Sequence, residues 1–193
     1  MANNTVIRED GCILVRNVRL SYPHLFKPWG MNEGDDKKYS GKFLLDKKTH
    51  AEDIKVLGQH LVKMQTEAFK GRIPNGMLFL RDGAESGKAE MESTFTIAAS
   101  ESKRPDVLNR DRSRVNEEDD IVYAGCYVNV LIRPWAQNNK FGKRINANLL
   151  AVQFVKDGER FSGIERPDMN DVFDEVDEGF DDAGGSEKAS PFD

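Results

Sequence analysis

Apolar and polar residues alternate along much of the first 160 positions, and one stretch switches to a helical period. In CILVRNVRLSY (12–22), Leu14, Val18 and Leu20 share one parity and Asn17, Arg19 and Ser21 the other, which predicts a first strand. The next stretch, PHLFKPWGMNEGDDKK, holds two prolines and two glycines and reads as a loop. YSGKFLLD (39–46) predicts a second strand, with Tyr39, Gly41, Phe43 and Leu45 on one face and Lys42 on the other. From His50 to Lys70 the residues Ile54, Leu57, Leu61, Met64 and Ala68 recur at spacings of 3, 4, 3 and 4, the stripe of a core-facing helix. Thr49 and Glu52 suit a capping box at its start, and Gly71 and Pro74 stop it.

Short apolar runs at 76–80 and 93–100 predict two further strands around a polar turn. The strongest β pattern pairs 121–135 with 143–156 across the loop AQNNKFG, where Asn139 and Gly142 accept positive φ. Val122, Ala124, Cys126, Val128, Val130 and Ile132 line one face of the outgoing strand, and Ile145, Ala147 and Leu149 that of the return strand. The return parity then shifts to Leu150, Val152 and Phe154, which predicts a bulge. Apart from that one helix, the strands are not separated by helices as a doubly wound sheet requires. The pattern therefore predicts a mostly β protein, a five-stranded barrel with one inserted α-helix at about 50–70.

Charge divides the chain in two. It carries 28 basic and 33 acidic residues, net −5. Ten of the acids and only Lys188 among the bases lie in 168–193, which leaves residues 1–167 at net +4. So acidic a segment, with few apolar side chains and no period, is expected to be a disordered tail. The expected division is a folded domain over 1–167 and the tail over 168–193. Cys12 and Cys126 lack CxxC spacing and read as buried thiols. The N-terminus lacks the features of a secretion signal, and no 18-residue apolar run suggests a membrane span.

Catalytic signals are weak. GAESGK (83–88) has one residue too few between its glycines for a phosphate loop, and Ala89 stands where Ser or Thr would hold magnesium, so it reads as a surface turn. His24, His50 and His60 show no metal spacing, and the acidic tail contains no built calcium loop. Neither an enzyme nor a cofactor is expected.

Basic and aromatic residues instead interleave on the expected outer faces. Arg16, Tyr22, Phe26, Lys27 and Trp29 come from the first strand and loop, and further sets from the second strand and the hairpin. Single-stranded nucleic acid takes this mixture, because cations follow phosphates and flat rings stack on any base. The stacking candidates are Tyr39, Phe43, Tyr127, Trp135 and Phe141, and the phosphate candidates Arg19, Lys42, Arg133, Lys140, Lys143 and Arg144. In the tail, Asp177, Glu178, Phe180, Asp181, Asp182, Phe192 and Asp193 could compete for the basic groove or dock on a partner. A second reading is a protein-interaction scaffold whose acidic tail docks a partner or mimics nucleic acid. A third is a metal-dependent nuclease using carboxylates such as Asp46, Glu90 and Glu92.

NVRLSYPHLFKP (17–28), YSGKFLLD (39–46) and YAGCYVNVLIRPWAQNNKFGKRINANLLAVQFVKDGERF (123–161) resemble bacteriophage single-stranded-DNA-binding proteins. The resemblance implies an OB-fold core over 17–161 and sequence-independent binding of single strands in phage replication and recombination. It also implies an acidic arm that recruits replication proteins such as a DNA polymerase, in the cytoplasm of the infected host cell. No membrane partner is expected, and the protein is expected to act as a monomer or homodimer.

Overall fold

The computed structural model describes residues 4–161. The expected tail, its partner-binding residues and the domain boundary at 167 lie outside the described residues. Among the described residues, eight strands form one sheet: β1 (Thr5–Ile7), β2 (Ile13–Trp29), β3 (Lys38–Asp46), β4 (Leu80–Asp82), β5 (Thr94–Glu101), β6 (Asp106–Leu108), β7 (Tyr127–Asn139) and β8 (Gly142–Lys156). The spatial order is β4-β5-β3-β2-β7-β8-β6, with β1 paired to β2. β2, β3, β5, β7 and β8 are the long strands, and they curl around one apolar core in an OB-like arrangement. The ladder does not return on itself; an isolated parallel bridge between Leu78 and Ile145 joins its two sides just ahead of β4.

Bulges explain where the alternation misleads. Ile13 and Val15 are buried, then Val18 and Leu20, while Leu14 is half-buried and does not share the face of Val18. Asn17 lies between the two pairs at φ +55, where the register against β7 slips by one residue and reverses the parity. β2 also runs on through the PHLFKPW segment expected to be a loop. Neither proline sits in a central position that must donate to a ladder, and a second register shift near Tyr22 lets the strand bend. The bulge expected on the return strand is present: Leu131 pairs with Ala151 but Ile132 with Leu149, so Leu150 is skipped and the inward face passes from Leu149 to Val152. The connection between β7 and β8 is tighter than expected. Asn139 pairs with Gly142, only Lys140 and Phe141 intervene, and Gly142 alone of the two expected positions takes positive φ, +103.

The helix α1 (Ala51–Phe69) matches the apolar period, with Leu57 and Leu61 in the core and Ile54 and Met64 packed against it, whereas Ala68 is exposed. The expected capping box is absent. His50 is the N-cap without a side-chain cap bond, and Thr49 Oγ1 instead meets His50 Nδ1 at 3.1 Å. The chain enters the helix through Asp46, whose Oδ1 accepts from the Lys48 and Thr49 amides at 2.8 and 2.9 Å. His50 Nε2 lies 3.0 Å from the Asn17 carbonyl oxygen, tying the helix start to the β2 bulge. Cys12 and Cys126 are buried and free, and burial pushes the Cys126 thiol up. No described helix is long and apolar enough to cross a membrane.

Candidate nucleic-acid interface

A groove of about 540 Å³ lies where the second half of β2, the centres of β3 and β5, the segment 77–81 and β8 meet. Its lining includes Tyr22, His24, Trp29, Lys42, Arg81, Lys88 and Asn146, and among the described residues no Asp or Glu lines it. The β2 bulge creates its central feature. Tyr22 holds φ +48, a conformation uncommon for a bulky residue, at the point where Ser21 pairs with Lys42 but His24 with Ser40. The extra residue aims the Tyr22 ring outward, 42% exposed. Two ammonium groups approach that ring, Lys88 at 3.9 Å and Lys42 at 5.3 Å from the centroid, and the Lys88 ammonium also donates to the Tyr22 hydroxyl. Further along β2, His24 and Trp29 stack at 4.8 Å with planes 9° apart, leaving Trp29 48% exposed.

The electrostatics of the groove are one-sided. Among the described residues, Lys42, Arg81 and Lys88 make no ion pair with a carboxylate; Arg81 donates from Nε to the Leu78 carbonyl instead. Burial first, and then the neighbouring Lys88 charge, hold the Lys42 ammonium below its ordinary pKa. Burial likewise lowers the His24 pKa, which favours the neutral ring in its stack with Trp29. Three uncompensated cations around exposed aromatic rings form a ready site for a polyanion with flat bases.

The hairpin supplies a second, adjoining face. Trp135 pairs with Asn146, which lines the groove, so the two side chains share one side of the hairpin. Arg133 and Arg144 fall on that same parity. Amide side chains tie this face together: Trp135 Nε1 donates to Asn148 Oδ1 at 2.8 Å, Asn146 Nδ2 to Gln137 Oε1 at 3.0 Å, and Gln137 Nε2 to Asn139 Oδ1 at 3.2 Å. At the turn, Phe141 is 73% exposed, with Lys140 Nζ 5.0 Å from its centroid.

The remaining sequence candidates lie elsewhere. Phe43 is a correction: it is fully buried, 0% exposed, sharing the inward parity of Gly41 and Leu45, so it fills the core and cannot stack on a base. Lys143 projects on the opposite parity from Arg144, and its Nζ lies 5.7 Å from the Phe69 ring of α1. Tyr39 is half-buried at the start of β3, opposite Glu101. Arg19 and Tyr127 do not line the groove. Arg19 donates to the Gly125 and Glu159 carbonyls at 3.0 and 2.6 Å and sits 4.1 Å from the Phe161 ring, so it fastens the segment following β8. Tyr127 faces Lys156 at 4.6 Å in the same region.

Sequence reasoning missed Arg81 and Lys88 altogether, and it named Tyr22 and Trp29 only among the surrounding aromatic residues. Lys88 belongs to the GAESGK turn, where the Asp82 side chain accepts from the Ala84 amide and begins a 3-10 turn over Gly83–Ser86. That turn holds no phosphate loop; it delivers its lysine to Tyr22. A usable signal was present: Tyr22 and Trp29 both stand next to proline or glycine, in a segment too aromatic for an ordinary loop.

Known proteins share the sequence and the fold. A solved structure of the single-stranded DNA-binding protein from bacteriophage Enc34 in complex with ssDNA is 42% identical, superposes with a TM-score of 0.76, and matches over 84% of this chain and 96% of that one. A second structure of the Enc34 protein is 41% identical over 90% of this chain and 96% of its own length, TM-score 0.74. Putative protein p50 of Acyrthosiphon pisum secondary endosymbiont phage 1 is 32% identical over 160 residues, 78% of this chain and 86% of that protein. The family model of the Enterobacter phage Enc34 ssDNA-binding protein matches residues 12–183, from the first core strand into the acidic segment. With a fold, a family match and close relatives in agreement, this chain belongs to the phage Enc34 single-stranded-DNA-binding family.

Proposed function

We propose that the protein binds single-stranded DNA without sequence preference, through the groove around Tyr22 and the adjoining face of the β7–β8 hairpin. The carrying observation is the convergence of Lys42, Arg81 and Lys88 on a groove with exposed aromatic rings, where among the described residues no acid lines the wall and none of the three cations pairs with a carboxylate. Stacking on Tyr22, Trp29, Trp135 and Phe141 requires a ring face and no particular base, which accounts for sequence tolerance. Lys42, Arg81, Lys88, Arg133, Lys140 and Arg144 hold the phosphates. The family is one of binding proteins, and the chain is accordingly no enzyme.

In this reading the protein coats single strands during phage replication and recombination inside the infected host cell. Its acidic arm, with ten carboxylates and one base over 168–193, competes with DNA for the groove, and on release it recruits replication proteins such as a polymerase. Supporting this is the charge split of the chain, net +4 over 1–167 against a strongly acidic arm.

The test is tryptophan fluorescence titrated with poly(dT) across a salt series, on the full chain and on residues 1–167. The expected result is saturable binding that weakens steeply with salt as counterions are released, and tighter binding without the arm. Absence of binding by both forms at low salt would overturn the reading.

A further inference from the structure

The groove contains a lysine placed for more than phosphate contact. Lys42 lies midway along β3, held between β2 and β5 by pairing with Ser21 and Ala98, so its backbone is fixed on both sides. It is half-buried, whereas Lys88 and Arg81 stand exposed at the margin. Among the described residues, the charged and titratable groups lining the same groove are Lys88, Arg81, Tyr22 and His24, and none of them is a carboxylate that would hold an ammonium in place. Burial and the neighbouring Lys88 charge both favour the free amine at this position. A desolvated lysine beside a second cation is the arrangement that activates an amine toward carbonyl carbon.

We propose that Lys42 captures abasic sites in single-stranded DNA as a covalent imine with the ring-opened deoxyribose. The inference rests on the DNA-binding reading above, since the groove must first seat the strand. An abasic nucleotide lacks the base that would stack on Tyr22, so its sugar can settle toward the groove floor. There the Lys42 nitrogen lone pair adds to the C1′ aldehyde carbon, and the carbonyl π electrons move to oxygen. The C–O bond of the resulting carbinolamine then breaks as nitrogen forms the C=N bond. Both amine protons leave with the oxygen as water, and nothing is oxidised or reduced. Lys88 and Arg81, at the rim, remain free for the flanking phosphates.

The experiment incubates the full chain with a labelled oligo(dT) carrying one central abasic deoxyribose, adds borohydride to reduce any imine to a stable amine, and resolves the products on a denaturing gel. Binding of each variant to the undamaged oligo(dT) is measured in parallel, and adduct is expressed per bound strand. The expected result is a covalent adduct that maps to Lys42 by peptide mass spectrometry. Adduct per bound strand should fall to about a tenth or less in Lys42→Arg, which keeps the cation but not the nucleophile, and stay unchanged in Lys63→Arg on the exposed helix flank. Undamaged oligo(dT) bound with no adduct, or an adduct mapping to other lysines, would overturn the inference and leave the binding reading intact. Failure of the wild-type chain to bind undamaged oligo(dT) would instead overturn the binding reading. Because peptide mapping uses the wild-type chain, the result stands even if the Lys42 variant folds poorly.

Discussion

The Trp135 indole N–H donates to the Asn148 side chain at 2.8 Å, although the residue directly opposite Trp135 is Asn146. The bond therefore runs diagonally across the hairpin and fastens an exposed ring to the neighbouring strand. A ring held before DNA arrives loses less freedom on stacking. Trp135→Ala should cost about 1–3 kcal/mol of single-strand affinity. Asn148→Ala should weaken binding by less than Trp135→Ala, because it frees the ring without removing it. Filter binding of oligo(dT) measures both, and thermal melts should show little change, since both side chains lie on the outer face.

Phe43 and Phe141 separate core from interface. Phe43→Ala removes a ring with no exposure and should destabilise the fold by about 3–5 kcal/mol, read from denaturant unfolding. Phe141→Ala, at a turn residue 73% exposed, should leave stability within about 0.5 kcal/mol and weaken oligo(dT) binding. The reverse pattern would show that the hairpin tip has no part in binding.

Removing the groove cations should alter the salt dependence more than the choice of sequence. Arg81→Ala and Lys88→Ala should each reduce the slope of log affinity against log salt by roughly one. Affinities for oligo(dT) and mixed-sequence strands should fall in parallel. Lys63→Ala, on the helix flank, serves as the control with an unchanged slope.

Gly125 permits a contact between backbones. It holds φ +109, and a Cβ placed there would lie 2.0 Å from the Glu159 carbonyl oxygen. Gly125→Ala must displace the segment that Arg19 fastens through the Gly125 and Glu159 carbonyls. The expected loss is roughly 2 kcal/mol or more, measured by thermal unfolding. Oligo(dT) affinity per folded molecule should be largely retained, because this segment lies outside the groove.

Acid should unfold the protein partly through Asp46 and Asp82. Amide hydrogen bonds, chiefly from Thr49, hold Asp46 below its ordinary 3.8, and the Lys47 ammonium with the Ala84 amide does the same for Asp82. A carboxylate with a depressed folded pKa contributes stability above its unfolded value, and that contribution is lost as pH falls through the folded value. Stability should therefore decline as pH drops below about 4. Asp46→Ala should lower the melting temperature at neutral pH and flatten this acid limb, followed by thermal melts from pH 7 to pH 2.5.

Much of this molecule was legible from local pattern. The α1 stripe, the β7–β8 pairing and the shift of parity at Leu150 all follow from periodicity, because burial on one face imposes period 2 or 3.6 wherever an element is regular. The same logic misread β2. A bulge reverses parity through one residue in a left-handed conformation, and neither Asn17 nor Tyr22 advertises that in sequence. Phe43 was misassigned as a stacking residue although its own alternation already placed it with Gly41 and Leu45.

By itself the sequence determined the class of the protein: a basic β body joined to an acidic segment, aromatic and cationic residues set among the strands, and the block resemblance to phage single-strand binders. The tertiary structure decided which of those residues act together. Lys88 reaches Tyr22 across 66 positions of chain, and Lys42 and Arg81 arrive from two further strands. Such convergence depends on strand order and register, which are long-range properties that no local periodicity records.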